Sequence, residues 1–420
     1  MNFNELSITH FSAGDVINST AGTLENGSVS DTSALSPEMK TFYDKTLITL
    51  AGASLIHEQF GQKRPIPKGS GKTIEFRKFS RLPKAMTAIT EGVTPAGNKL
   101  SVSGVSCTVE QYGDYIEQTD MLELTAIDNT IVEATKELAA QAGLTLDTVV
   151  RNELVGGTNV MYAPLVEGDK ETPITSRRDI TSASKLRVKD IFKAAAELKA
   201  VNAPKINGSY VAIIHPYVAY DLMQEAGEQW IGITKYVNPE NILKGEIGTL
   251  GGVRFVESTE AKIFGPAVIN EGVTRAEISE DATSSLTITV NENLGEKTFS
   301  EPVEVYVAGA ENTVVAVSGN TVTLGSAVTV KAGDMLTGVG AGKNGDAVFC
   351  TLFLGENAYG VTDIEGGGLQ HIVKQKGYGN DPLNQRSSVG WKATKVAKRL
   401  LEEYIIRYES GSTFSHTDEN

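Results

Sequence analysis

The sequence predicts an α+β protein of two or three domains, and three observations carry that prediction. One helical rhythm runs from Ile127 to Leu154. Short strand-period runs lie on both sides of it. A stretch from 271 to 345 alternates in strand fashion with only Phe299 and Tyr306 as aromatics. The chain has 420 residues, against the usual ~100–200 per domain.

Composition narrows the class. Hydrophobic residues make up 40% of the chain, enough for real cores, and the formal net charge is −14. An acidic chain does not grip nucleic acid across a broad face, because phosphate binding needs clustered Lys and Arg. Cys107 and Cys350 each lie in an apolar alternating run and read as small buried hydrophobes. Met1-Asn2-Phe3-Asn4-Glu5 lacks the basic and apolar regions of a signal peptide, and no stretch reaches the ~20 apolar residues of a membrane helix. Synthesis in the cytoplasm is the expectation.

Residues 1–36 are rich in Ser, Thr, Asn, Gly and Ala and read as a mobile arm. Ser36 caps a helix opening at Pro37, with helical rhythm up to Gly61. Ile74-Glu75-Phe76-Arg77 alternates as a strand, and Val105, Cys107 and Val109 begin a second alternating run that leads on to Ile116. The polar segment 84–101 joins them into a projecting hairpin, which needs something else to pack on. Ile131, Ala134, Leu138, Ala142, Thr145 and Val149 then recur every three or four residues, capped by Thr125 or Asp128. That helix, 127–154, would be about 42 Å long at ~1.5 Å per residue. Gly156-Gly157 ends it.

A second module starts with the helix from Val188 to Leu198, stopped by Asn202 and Pro204, and the buried strand Tyr210–Ile214. Pro216 opens another helix, and Gly251-Gly252 turns into the strand Val253–Val256. Residues 271–345 hold 10 acids against 4 bases and read as a small all-β domain inserted into this module, with Ser318-Gly319-Asn320 as a hairpin turn. Val348–Leu354 and a strand around Tyr404–Tyr408 follow.

Chemical motifs give little. Gly69-Ser70-Gly71-Lys72-Thr73 looks like the end of a phosphate-binding loop, but Ile66 stands where a Gly is needed and a strand pattern follows, so it reads as a turn. His10, His57, His215, His371 and His416 have no ligand spacing. The basic cluster Lys392, Lys395, Lys398, Arg399 and Arg407 reads as a solvated face paired with Glu402 and Glu403. Trp230 and Trp391 read as core or interface anchors. No catalytic, cofactor or metal residue is nominated.

The order of parts resembles the tailed-bacteriophage major capsid fold (the Hong-Kong-type fold, shared with encapsulins and the herpesvirus capsid floor). Three segments resemble the coat-protein family of podovirus-like phages: Tyr112–Asp120, Gly248–Arg254 and Asp381-Pro382-Leu383-Asn384-Gln385-Arg386-Ser387-Ser388-Val389-Gly390-Trp391-Lys392. The resemblance implies an N-terminal arm (1–71), an extended β-hairpin loop (72–120), and a peripheral domain (121–187 and 366–412) holding the spine helix. It also implies an axial domain (188–270 and 346–365), with the inserted β domain at 271–345 and a loose tail at 413–420. The implied function is self-assembly, as hexamers and pentamers, into the icosahedral capsid of a virion. Implied partners are a separate scaffold protein, a portal, a decoration protein and packaged double-stranded DNA bound without sequence specificity. On that reading Ile74, Phe76, Val105, Val109 and Trp391 make contacts between subunits, and Ile131, Leu138 and Val149 form the inward face of the spine. An encapsulin-type compartment and a β-domain surface adhesin stand as alternatives, with an enzyme behind both.

Overall fold

The computed structural model describes residues 56–79, 97–125, 130–168, 170–226, 246–374 and 383–414, three short strands within 16–31, and scattered positions at 82–94 and 376. The helix expected from Pro37, Trp230 and the tail beyond 414 fall outside the described residues, apart from 56–61, where the chain makes turns. Two units emerge. One comprises Met1–Leu55, Lys63–Val150 and Val361–Ala397; the other comprises Ile56–Gln62, Arg151–Gly360 and Lys398–Asn420. The sequence assigned 151–187 and 398–412 to the first unit. They belong to the second because strand Val160–Tyr162 pairs with Ile405–Ser410, which in turn pairs with Val348–Leu354. Pairings over such separations leave no mark in local periodicity.

In the first unit, strand Glu110–Thr119 pairs antiparallel with Arg386–Arg399 from Arg386↔Thr119 to Lys395↔Glu110. Gln370–Lys374 adds to the far side of Arg386–Arg399, and Val16–Ser19 touches Glu110–Thr119 at Asn18↔Gln118. The sequence reads 105–116 as one run, but it is two strands in different sheets. Among the described residues Val102–Thr108 pairs only with Thr73–Phe79, and the break falls at Val109, whose N–H donates to Lys72 O at 2.8 Å. The turn 67–71 has Gly69 and Gly71 at φ +85° and +86°, conformations that favour glycine. A strand follows it, as the turn reading requires.

The long helix spans Thr130–Val155. Its buried apolar stripe is Ala134, Leu138, Ala142, Leu146, Val150 and Leu154, a four-residue series that drifts ~40° around the axis per step, with Asp147, Arg151 and Val155 buried beside it. The sequence rhythm instead stepped by three from Ala142 to Thr145 and so fell one residue out of phase. Val149 is therefore half-buried, and Val150 points inward. Thr145 sends its hydroxyl back to Gln141 O at 2.8 Å, which satisfies it without burying it. The side chain of Ile131 lies outside the described residues.

In the second unit a mixed seven-stranded sheet runs Glu246–Leu250, Val253–Glu257, Tyr210–Ile214, Val348–Leu354, Ile405–Ser410 and Val160–Tyr162, with Ile263–Phe264 also on Val348–Leu354. Helices Val188–Ala200 and Pro216–Ala226 cover one face through Ile191, Ala194, Leu198, Val218 and Leu222. The first of these ends in a Schellman motif: Asn202 takes φ +54°, its N–H meets Lys199 O, and Ala203 N–H meets Leu198 O.

Residues 275–338 form a six-stranded antiparallel sheet with its own core, including Ile278, Ile288, Val305, Val314, Val322 and Leu336. Its end strands, Arg275–Glu277 and Ala282–Thr289, also meet. Ile278 bridges Val290, Ser279 N–H donates to Thr289 O, and Asn291 N–H donates to Glu277 O, both at 2.9 Å. The sheet thus closes into a small barrel, which removes the open edges that invite stray pairing.

Candidate assembly surface

The hairpin Thr73–Phe79/Val102–Thr108 has two unlike faces, set by its register. Ile74 stands opposite Cys107 and Phe76 opposite Val105, so these four share one apolar face. Phe76, Cys107 and Val109 are buried; Ile74 and Val105 are half-buried. On the other face Glu75 stands opposite Ser106 and Arg77 opposite Gly104, the Glu75 side chain leans over Gly104, and Arg77 Nη2 lies 3.9 Å from its carboxylate. A two-stranded ribbon is marginal in water unless it packs on something.

Trp391, expected at a contact between subunits, is turned into the chain's own core. It is 6% exposed and packs with Leu138, Ala142, Leu146, Val389 and Ala393. Its indole N–H donates to Gln141 Oε1 at 3.2 Å, and Gln141 donates to Asp114 Oδ2 at 2.7 Å. A large indole with its one polar atom satisfied is well suited to lock a helix onto a sheet.

Strand alternation puts Gly113, Tyr115, Glu117, Ser388 and Gly390 on the opposite face of that sheet. There they line a cavity of about 450 Å³ together with Ile372 and Lys374. Its floor is glycine for a reason: a Cβ on Gly390 would lie 2.7 Å from Tyr115 Cβ, and one on Gly113 would lie 2.6 Å from Trp391 O. Tyr115, which lines it, is exposed, and so, elsewhere in the same unit, are Leu100, Val102, Leu369, Val373 and Leu383. Exposed apolar side chains of this kind are available to an association surface.

The basic cluster differs from its sequence reading. Lys395 is buried, and only Lys392 lies fully in solvent. Arg399 donates to Glu153 O and pairs with Glu402 at 3.1 Å, Lys398 pairs with Glu153 at 3.3 Å, and Arg407 donates to Val155 O. The long helix has no basic residue in its own last turn, so these arginines cap its orphaned carbonyls from another part of the chain. The pairing of Arg399 with Glu402 was legible in sequence; the helix end it serves was not.

Among the described residues no group of His, Cys, Asp or Glu side chains could hold a metal ion. Cys107 and Cys350 are both buried. Burial, and then the Glu409 charge, push the Cys350 thiol up to about 12, well outside the range of a working nucleophile.

No family model matches the sequence, and no curated protein does. Solved structures do match. The capsid of Ralstonia phage GP4 aligns over 91% of this chain and 97% of its own, at 13% identity and TM-score 0.56. The capsid of cyanophage Pam1 aligns over 89% and 96%, at 11% identity and TM-score 0.54. That of cyanophage P-SCSP1u aligns over 93% and 97%, at 14% identity and TM-score 0.52. The chain therefore has the α+β fold of phage capsid chains over about nine-tenths of its length.

Proposed function

We propose that this chain is the major capsid protein of a tailed double-stranded DNA bacteriophage, a subunit that assembles with copies of itself into an icosahedral shell around the genome. One observation carries the reading: about nine-tenths of the chain folds like nearly the whole of three phage capsid chains. The site chemistry agrees with it. The polar residues at the helix end cap carbonyls and pair charges, while the hairpin and the Glu110–Thr119 sheet carry exposed apolar side chains such as Val102, Tyr115 and Val373.

In this reading residues 72–118 reach onto a neighbouring subunit, with Ile74, Phe76, Val105 and Val109 stiffening the ribbon. The helix Thr130–Val155 is the spine of a peripheral domain, and the seven-stranded sheet is the body of an axial domain. The barrel at 271–345 is an insertion used for decoration or neighbour contacts. A separate scaffold protein and a portal complete the assembly. A shell needs many modest interfaces, each reversible enough to correct errors during growth, and a net charge of −14 lets packaged DNA slide past the wall.

The test is electron microscopy of a deletion of 84–100. The reading expects a folded subunit, with unchanged circular dichroism, that forms no closed shells. Normal shells from the deletion would refute the role given to the hairpin.

A further inference from the structure

We propose that Asp221 closes a carboxylate clasp on residues 411–414, and that neutralising this one carboxyl releases that segment from the rest of the unit. The inference concerns the second unit alone and stands whether or not the chain builds shells.

The last strand, Ile405–Ser410, ends where the chain squeezes past residues 181–184. Gly411 N–H donates to Ser184 O at 2.8 Å, and a Cβ on Gly411 would collide with Thr181 O. The described residues beyond that point, 412–414, belong to no sheet. What holds it is one side chain from helix Pro216–Ala226. Asp221 Oδ2 accepts from Ser412 Oγ at 2.8 Å and from Thr413 N–H at 3.0 Å, and Oδ1 accepts from Thr413 Oγ1 at 2.6 Å. Lys185 Nζ lies 3.3 Å from Oδ1. Phe414 then stacks on Tyr217, centroids 4.5 Å apart, and meets Tyr220 edge-on at 5.6 Å.

The two ends of this arrangement are unequal. The Asp221 side chain is only 3% exposed, so its contacts are charge-assisted hydrogen bonds in a dry setting, the strong kind. The Phe414 stack lies at the surface, with Phe414 58% exposed. An ionised carboxylate accepts every one of these bonds. A neutral carboxyl gives one oxygen over to a proton and no longer answers the Lys185 charge.

Lys185, from the segment before helix Val188–Ala200, is the charged group facing Asp221. On the helix itself, Glu225 is one turn on and takes Val188 N–H at 3.2 Å, and just before the helix His215 Nδ1 takes Tyr217 N–H. Burial alone raises the Asp221 pKa. The hydrogen bonds from Thr413 and Ser412, with the Lys185 charge, outweigh it and hold the carboxyl below its ordinary value. The folded value therefore lies under the unfolded one. The clasp's contribution is complete above the ordinary Asp range and is lost as pH falls through the lower folded value.

The experiment uses the full chain with two readouts, hydrogen exchange at the Thr413 amide and C-terminal trimming by carboxypeptidase followed by mass. In wild type at neutral pH, trimming should halt by Phe414 and the amide should be protected, and that protection should persist to pH 5. In Asp221→Asn, trimming should pass Ser412 and protection should fall about tenfold or more, the scale of a charge-assisted hydrogen bond. Ser412→Ala with Thr413→Val leaves the helix untouched, removes two of the three bonds while the residue-413 N–H bond stays, and should release the segment in part, which covers the case in which Asp221→Asn fails to fold. Equal trimming endpoints and equal protection in wild type and the double variant would overturn the clasp, as would trimming past Ser412 in wild type.

Discussion

Glu409→Gln should destabilise the second unit more than its one-atom change suggests. Glu409 is fully buried on strand Ile405–Ser410. Its two oxygens take a bidentate pair of bonds from Arg177, Nε at 2.7 Å and Nη2 at 2.6 Å, and a third contact from Arg407 Nε at 2.8 Å. Arg177 also lies 3.5 Å over the Phe264 ring, and its pKa is raised, burial being outweighed by Glu409. Glutamine keeps the shape, removes the charge and turns an amide N–H₂ toward guanidinium donors. Two arginine charges are left facing each other with no anion between them. Breaking a buried pair by removing one partner costs about 3–5 kcal/mol. The Arg177 side chain is 24% exposed and recovers some hydration, so the lower end, ~3 kcal/mol, applies. At ~2–4 °C per kcal/mol for a unit of this size, the melting temperature should drop by roughly 6–12 °C. The assay is calorimetry of the unassembled subunit at neutral pH. A shift under about 2 °C would refute the reasoning, because surface ion pairs behave that way.

Further predictions follow from the same structure. Leu146→Ala should cost ~2–5 kcal/mol by leaving a cavity, whereas the half-buried Val149→Ala should cost well under that. Denaturant midpoints would settle which residue of the turn faces inward, and equal losses would contradict the four-residue stripe. The segment 266–347 expressed alone should fold, since the barrel closes its own edges and holds its own core. Dispersed amide resonances with slow exchange at Val314 and Val322 are expected, and a random-coil spectrum would count against an independent core. Arg399→Ala should strip a cap and an ion pair from the helix end at once, speeding amide exchange in 158–160, where Glu402 holds Thr158 N–H; unchanged exchange there would mean the cap is idle.

Much of the architecture was legible in local pattern, because a 26-residue helix and strands such as Tyr210–Ile214 advertise their periods. The Gly319-Asn320 turn was readable too, since Ser318 pairs with Thr321 across it. Three things were not. The helix phase slipped because Thr145 and Leu146 compete for one inward position, and only packing against Trp391 and Val389 decides between them. Trp391 itself gave no sign of which way it points, since a tryptophan suits a core and an interface equally well. The barrel's closure was also hidden: apart from Asn291 Nδ2 donating to Glu277 Oε2 at 3.3 Å, the bonds that join 277–279 to 289–291 are backbone bonds, which carry no side-chain signature.

The central claim is that this chain builds a closed shell with copies of itself. The most direct measurement is cryo-electron microscopy of the purified protein after assembly, alone or with a co-expressed scaffold. The account predicts closed icosahedral particles with Thr73–Phe79/Val102–Thr108 of each subunit lying on a neighbour. A protein that stays a dispersed monomer under both conditions, or particles in which that hairpin touches only its own chain, would contradict it.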